Sequence, residues 1–410
     1  MDYTRRNFIW NSVGNIIYLM CQWLITVLVP ILGDFEDAGV LSIAMSVSAI
    51  FQTVGLFGIR SYQVSDIEGK YSDSCYMGLR FLTCSASLML CLIFSVCLGY
   101  RDGQLLAILL FMLFRVAETY SDVLHGIVQK NGRLYIGGIS FCIKGFGLLL
   151  GFLVGYFMTK SLNVALLFMT VISVAITLFY DLPMARRMSV FKLTDPIVKC
   201  VKLALETLPL CGYQFLSSTI VTLPKLFLEA KLGETVLGVY SSIYAPAMLL
   251  QAASAYLYTP FITTFAQYWD QNDRRSFQKL LFRMLSLILI LSLAVLIVAQ
   301  FLGEWALVLV FGEQIRDHVY LLNPILIVSA SISCLGLLGV VTIVLRKFRW
   351  LLIGYAVGFL LCLSLTTPAI GLFGVNGASY SLVLATVVSC LILLAGCIIS
   401  LRVDQTSTEA

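Results

Sequence analysis

The chain has 410 residues, of which 60% are hydrophobic and 12% charged, with a formal net charge of +5 and a mean hydropathy of +0.94. A soluble domain is about 45–50% apolar and about 25% charged. This chain has too little polar surface to coat a water-soluble globule, and a bilayer has to supply the apolar solvent. Twelve spans of about 20 apolar residues leave no room for a separate soluble domain of about 100 residues.

Arg5 and Arg6 precede a long apolar run without the short core and small-residue cleavage site of a signal peptide. The run is read as an uncleaved first span, 9–32, with Asn11, Asn15 and Gln22 on one helical face. These residues line a cavity or hydrogen-bond to a neighbouring helix. The second span, 38–59, carries Gln52, and the third is 77–99. The fourth, 104–127, carries Arg115, Glu118, Asp122 and His125. At 100° per residue these four fall within an arc of about 80°. Such a stripe faces protein or water, because an ionisable group facing lipid is costly. Glu118 lies three residues after Arg115, so the two can pair along the helix. Glu118 and Asp122 therefore stand as ion-coupling groups or as members of a self-neutralising cluster.

In the fifth span, 135–157, Lys144 lies about 15 Å deep, too deep to snorkel to the interface. Lys144 and Arg115 are candidates for a basic patch lining a central cavity, the alternative being ion pairs with Glu118 or Asp122. The sixth span is 163–182, and the basic segment 183–203 joins the two halves. The seventh, 204–230, holds Gln214 as a polar cavity candidate, then Pro224 and Lys225. Lys225 is a third anion contact or an interfacial lysine. The eighth, 235–267, is longer than the hydrocarbon requires and carries Pro246 and Pro260, so a kink or a protruding end is expected. The remaining spans are 280–302, 320–345, 350–372 and 376–401, with the longest outer loop at 303–319 and a tail at 402–410.

With the N-terminus inside, 20 of the 27 Lys and Arg fall in cytoplasmic segments, Arg60 and Arg80 among them; four fall outside and three within spans. That bias places both termini in the cytoplasm. The end of the first span, from Leu32-Gly33-Asp34 to Gly39-Val40 and Ser42, matches Leu232-Gly233-Glu234, Gly238-Val239 and Ser241 at the end of the seventh when one gap is allowed. Six spans repeated over about 200 residues, entering the membrane in the same sense, give a transporter-like plan with an axis along the membrane normal.

The 12 cysteines are scattered through apolar runs without a CxxC or a Cys/His metal spacing, so they read as reduced, buried thiols. No GxxxxGK[ST], HExxH or GxSxG motif occurs, and the histidines are His125 and His318 alone. No catalytic residues, metal or cofactor are expected. The short outer loops and scarce histidines also disfavour a membrane-embedded polysaccharide polymerase or acyltransferase.

The segment from Leu208-Pro209 to Ser218, followed by Leu223-Pro224-Lys225-Leu226-Phe227-Leu228-Glu229 and Leu237-Gly238-Val239-Tyr240, resembles the start of the second lobe in Wzx-like polysaccharide flippases. These belong to the multidrug/oligosaccharidyl-lipid/polysaccharide (MOP) exporter superfamily. Gln129-Lys130-Asn131-Gly132-Arg133 with Lys144-Gly145, and Phe373-Gly374-Val375-Asn376-Gly377-Ala378, are similar to the same family. Some members have fourteen spans, whereas twelve are read here. The resemblance implies an all-α polytopic fold in two pseudo-symmetric six-helix lobes, 1–182 and 204–401, forming a V-shaped alternating-access transporter.

The implied substrate is an undecaprenyl-diphosphate-linked oligosaccharide, an O-antigen or other polysaccharide repeat unit, turned to the outer leaflet of the bacterial cytoplasmic (inner) membrane. Membrane lipids, H+ or Na+ as coupling ion, and polymerase and glycosyltransferase partners would accompany it; nucleic acid would not. A diphosphate needs cationic partners. A multidrug exporter of the same superfamily, the rival reading, would want acidic cavity residues for organic cations.

Overall fold

The structure, a computed structural model, describes residues 3–66, 69–189 and 197–406. Residues 190–196 of the expected linker, Lys192 included, and tail residues 407–410 lie outside the described residues. Helices make up nearly all of the rest, and no strand occurs among the described residues. In hydrocarbon each backbone N–H and C=O has to be satisfied within its own segment, and a helix does this.

The α-helices are α1 (Tyr3–Leu32), α2 (Phe35–Leu56), α3 (Ile59–Ser65), α4 (Asp73–Cys97), α5 (Asp102–Lys130), α6 (Tyr135–Thr159), α7 (Leu162–Ile176), α8 (Leu182–Arg186), α9 (Ile197–Leu232), α10 (Glu234–Tyr258), α11 (Ile262–Asp270), α12 (Arg274–Phe311), α13 (Leu322–Val344), α14 (Phe348–Phe373) and α15 (Asn376–Thr406). Eleven helical segments are long and apolar enough to cross a membrane. The long helix α9 is diluted by Gln214, a Ser/Thr run, two prolines and Lys225. It takes the place of the seventh expected span.

Four local features depart from the sequence reading. The second span breaks at Phe57 and Gly58, both left-handed (φ 48° and 67°), so Arg60 lies on a helix, α3, and not in a loop. The sixth span continues from α7 through a π-turn, Thr177–Asp181, into α8. Pro183 has no N–H to close the ordinary bond to residue 179, and the chain widens by one residue, with Leu182 N–H bonding Thr177 O. In the eighth, α10 runs through Pro246 unbroken, whereas Pro260 sits in a 3-10 turn, Thr259–Phe261, before α11. The expected outer loop 303–319 is mostly helical: α12 extends to Phe311, and a 3-10 helix, Glu313–Leu321, follows Gly312. Its apolar residues (Trp305 to Phe311) continue the span.

The chain divides into two compact units, Met1–Ser218 and Thr219–Ala410. In the first, α1 lies along α6, α2 packs on α4 and α5, and α5 packs on α7. The α1–α6 approach depends on absent side chains. A Cβ at Gly14 would stand 2.1 Å from Gly138 O, and one at Gly138 would stand 2.2 Å from Trp10 O. Small residues at such crossings let backbones meet where lipid offers no hydrophobic drive between helices. In the second unit, α15 packs on α13 and α14, and α10 packs on α13. The most apolar stretch of α12 is only 11% buried, giving a face suited to lipid.

Candidate functional site

The charged stripe of α5 divides between two sets of neighbours. Glu118, Ser121 and His125 turn toward α6 and the π-turn, while Asp122 turns toward α3 and α4.

Lys144 of α6 is completely buried. Its ammonium lies 3.2 Å from Glu118 Oε1 and 3.2 Å from Asp181 Oδ2, and it donates to Ser121 Oγ. An ammonium has three N–H donors, so this set uses all of them. Asp181, the last residue of the π-turn, also has a fully buried side chain. Ser121 Oγ stands 2.7 Å from Asp181 Oδ2 and 2.8 Å from Thr177 Oγ1. His125 Nε2 is 3.1 Å from Asp181 Oδ1. Glu118 receives Tyr18 Oη–H from α1 at 2.6 Å and Ser173 Oγ–H from α7 at 2.9 Å. The cluster therefore ties α1, α5, α6 and α7 together. Glu118 pairs with Lys144, not with Arg115 along its own helix. Of the two roles open for Lys144, this conformation realises the ion pair.

Asp122 is held from two sides. Arg60 Nη1 lies 3.1 Å from Oδ1 and Arg80 Nη2 lies 2.9 Å from Oδ2. Arg80 is fully buried, and its Nη1 donates to Gly55 O at 2.6 Å and Leu56 O at 2.8 Å. The left-handed break after α2 leaves those carbonyls without helical partners, and the guanidinium supplies donors. Arg60 Nη2 donates to Gln129 Oε1 at 3.1 Å. The assignment of Arg60 and Arg80 to loops is thereby corrected: both are helical and pin the α2–α3 break to α5.

Arg115 lies with Cζ 5.1 Å from the Phe111 ring centroid and 5.5 Å from that of Phe114, and its Nε is buried without a hydrogen-bond partner. In the second unit, Lys225 Nζ lies 4.4 Å from the Tyr244 ring centroid. Gln251 Nε2 donates to Tyr244 Oη at 2.8 Å and to Ser329 Oγ at 3.1 Å, fixing that ring. Neither cation has an ion-paired carboxylate among the described residues. Each is half-buried against an aromatic face, a contact worth about 0.5–2 kcal/mol, which leaves N–H donors available.

The polar candidates separate. Asn15 Nδ2 donates to Asn11 O at 2.7 Å and approaches Asn11 Oδ1 at 3.2 Å, so this pair is satisfied within α1. Gln22 Nε2 and Gln214 Oε1 are buried without hydrogen-bond partners. Gln52 is half-buried on α2. Sequence reasoning missed Asp181, Arg80, Tyr18 and Gln63, whose fully buried amide has neither atom hydrogen-bonded. Asp181 carried a signal: an acidic residue inside a span, two positions before a proline. Among the described residues no cluster of three or more His, Cys, Asp and Glu could hold a metal ion.

Comparison with known proteins agrees with this architecture. The chain is 28% identical over 337 residues, 82% of its length and 83% of the relative's, to the capsular polysaccharide biosynthesis protein CapF of Staphylococcus aureus. Its fold matches an inward-facing multidrug resistance MATE family transporter of the MOP superfamily with a TM-score of 0.78 at 13% identity, covering 98% of this chain and 99% of the other. It matches the lipid II flippase MurJ with a TM-score of 0.69 at 11% identity, covering 96% and 87%. At such identities the likeness is one of fold. No family model matches the chain. The resemblance to MOP exporters read from the sequence agrees with these relatives. The chain is a multi-pass membrane protein with the fold of that superfamily's transporters.

Proposed function

We propose that this chain moves a diphosphate-linked oligosaccharide on a polyprenyl carrier from the cytoplasmic to the outer leaflet of a bacterial inner membrane by alternating access. The moving parts are two pseudo-symmetric lobes, 1–182 and 204–401, with both termini cytoplasmic. The observation that carries the proposal is the pair of intramembrane cations without acidic partners, Arg115 and Lys225. A diphosphate is recognised by donors that bear positive charge, and here the unpaired charges are positive. A relative named for capsular polysaccharide biosynthesis and a fold neighbour named as a lipid II flippase support the same reading. Lys144, with its three donors engaged, is given a different role.

A multidrug exporter would take organic cations and would need a carboxylate free to receive them. Glu118, Asp122 and Asp181 are each tied to a basic side chain, which weighs against that alternative. The test is exchange of Arg115 and Lys225 for Gln, scored as polymer at the cell surface together with transporter expression. Loss of one charge-assisted contact, worth about 1.5–3 kcal/mol, lowers polymer export about tenfold or more. Full export in both variants at normal expression would remove the basis of the proposal. Reporters fused after Arg346 and after Lys160 test the orientation: the first is expected in the cytoplasm and the second outside.

A further inference from the structure

We infer that His125, held by Asp181 beside Lys144, is a binding site for one proton in the first unit, and that this site does not take a sodium ion. The inference concerns the ion that the cluster binds; only its relevance to transport rests on the function proposed above.

The donor set argues against sodium. A small cation bound among Glu118, Ser121 and Asp181 would need the oxygens that Lys144 Nζ already contacts at 3.2, hydrogen-bonding and 3.2 Å distances. A covalently tethered ammonium fills that place, and the described residues offer no second cluster of acidic and histidine ligands.

The imidazole then has room for a proton. At 3.1 Å from a carboxylate oxygen, Nε2 must carry its hydrogen, since two acceptors would repel. The open position is Nδ1. Position 137 of α6 is glycine, and a Cβ there would stand 3.6 Å from Nδ1, so that side of the ring faces a notch without a side chain. The Phe141 ring meets the imidazole edge-on, with centroids 5.1 Å apart.

Charge sets the direction. With neutral imidazole, the contacting groups Lys144, Glu118 and Asp181 carry one excess negative charge in a water-poor site. A proton on Nδ1 balances two carboxylates with two cations, and unbalanced buried charge is costly. The other titratable groups around the site are Tyr18 from α1, Arg115 and Asp122 from α5 and Tyr180 from the π-turn. Tyr18 donates to Glu118, Asp122 is neutralised by Arg60 and Arg80, and Arg115 rests on Phe111 and Phe114.

The chain has two histidines, which makes the test direct. Full-length protein labelled with ε1-13C-histidine is titrated by NMR, with His318→Asn identifying the His125 signal. His125 is expected to titrate reversibly between about pH 5 and pH 9. Asp181→Asn should lower the midpoint by about one pH unit or more, and Lys144→Met should raise it. Exchange of K+ for Na+ should leave the signal in place. A His125 signal that never titrates, a midpoint unmoved by Asp181→Asn, or a sodium-specific shift would each overturn the inference. If a variant does not fold, the titration of the unsubstituted protein and its sodium insensitivity still decide. No substrate is present, so failure here is distinguishable from failure of the transport proposal.

Discussion

Lys144→Met keeps an unbranched stem but removes the charge between Glu118 and Asp181. The ammonium is fully buried and contacts two carboxylates at 3.2 Å each. Removing one partner from a buried pair costs about 3–5 kcal/mol, because the charges left behind stay out of water. At about 2–4 °C per kcal/mol for a unit of this size, the midpoint of thermal unfolding should fall by about 6–20 °C. The assay is a thiol-reactive fluorophore on detergent-solubilised protein, since many of the free cysteines are buried and react on unfolding. Asp181→Asn in the same background should recover about 1–3 kcal/mol, because it removes one of the two orphaned charges. A Lys144→Met midpoint within about 2 °C of the parent, or single-variant losses that simply add in the double variant, would refute the reasoning.

Two further outcomes test the segment joining α3 to α4. Asp66 accepts from the backbone N–H of Lys70 at 2.8 Å, the N–H of Tyr71 at 3.1 Å and Tyr76 Oη–H at 2.9 Å. Burial alone would raise its pKa, but the hydrogen bonds from Tyr71, Lys70 and Tyr76 outweigh burial and hold the carboxyl below its ordinary value. A depressed carboxyl stabilises the fold above its unfolded-state pKa of about 3.9 and loses that contribution as pH falls through the folded value. Tryptic cleavage at Lys70 of protein pre-equilibrated at low pH and assayed immediately on return to neutral pH should therefore rise as the pre-equilibration pH falls below about 4, and Asp66→Asn should raise cleavage at neutral pH as well. Cys75 Sγ and Cys200 Sγ, on α4 and α9, lie 3.1 Å apart. Copper-phenanthroline should join them in unsubstituted protein, read as a crosslinked tryptic pair that Cys200→Ser abolishes; failure to crosslink would contradict the packing of α9 against α4.

Span number and position were legible because hydropathy dictates them, and the resemblance added the superfamily. Local breaks were harder to read. The α2–α3 break needs a left-handed Phe57 as well as Gly58, and a non-glycine residue in that conformation leaves no sequence mark. The charged stripe of α5 was visible from helical spacing, but its partners were not. A 3.6-residue period puts Glu118 and Asp122 on one face, whereas packing sends Glu118 to Lys144 and Asp122 to Arg60 and Arg80. Arg80 was counted with the loops because it lies near a span end, yet it is completely buried. Asp181 was hidden in the same way, since a widened turn carries it into the core. Lys225 was read as an anion contact or a snorkelling lysine, and the Tyr244 ring beneath it required the tertiary fold.

The most direct measurement is transport by purified protein in sealed vesicles containing an undecaprenyl-diphosphate-linked oligosaccharide, read as the fraction of sugar cleaved by an external glycosidase over time. The account predicts that the protein speeds exposure of the sugar at the far leaflet, and that Arg115→Gln and Lys225→Gln each slow it about tenfold or more. Sugar exposure no faster than in protein-free vesicles, with the same preparation accumulating an organic cation, would contradict it.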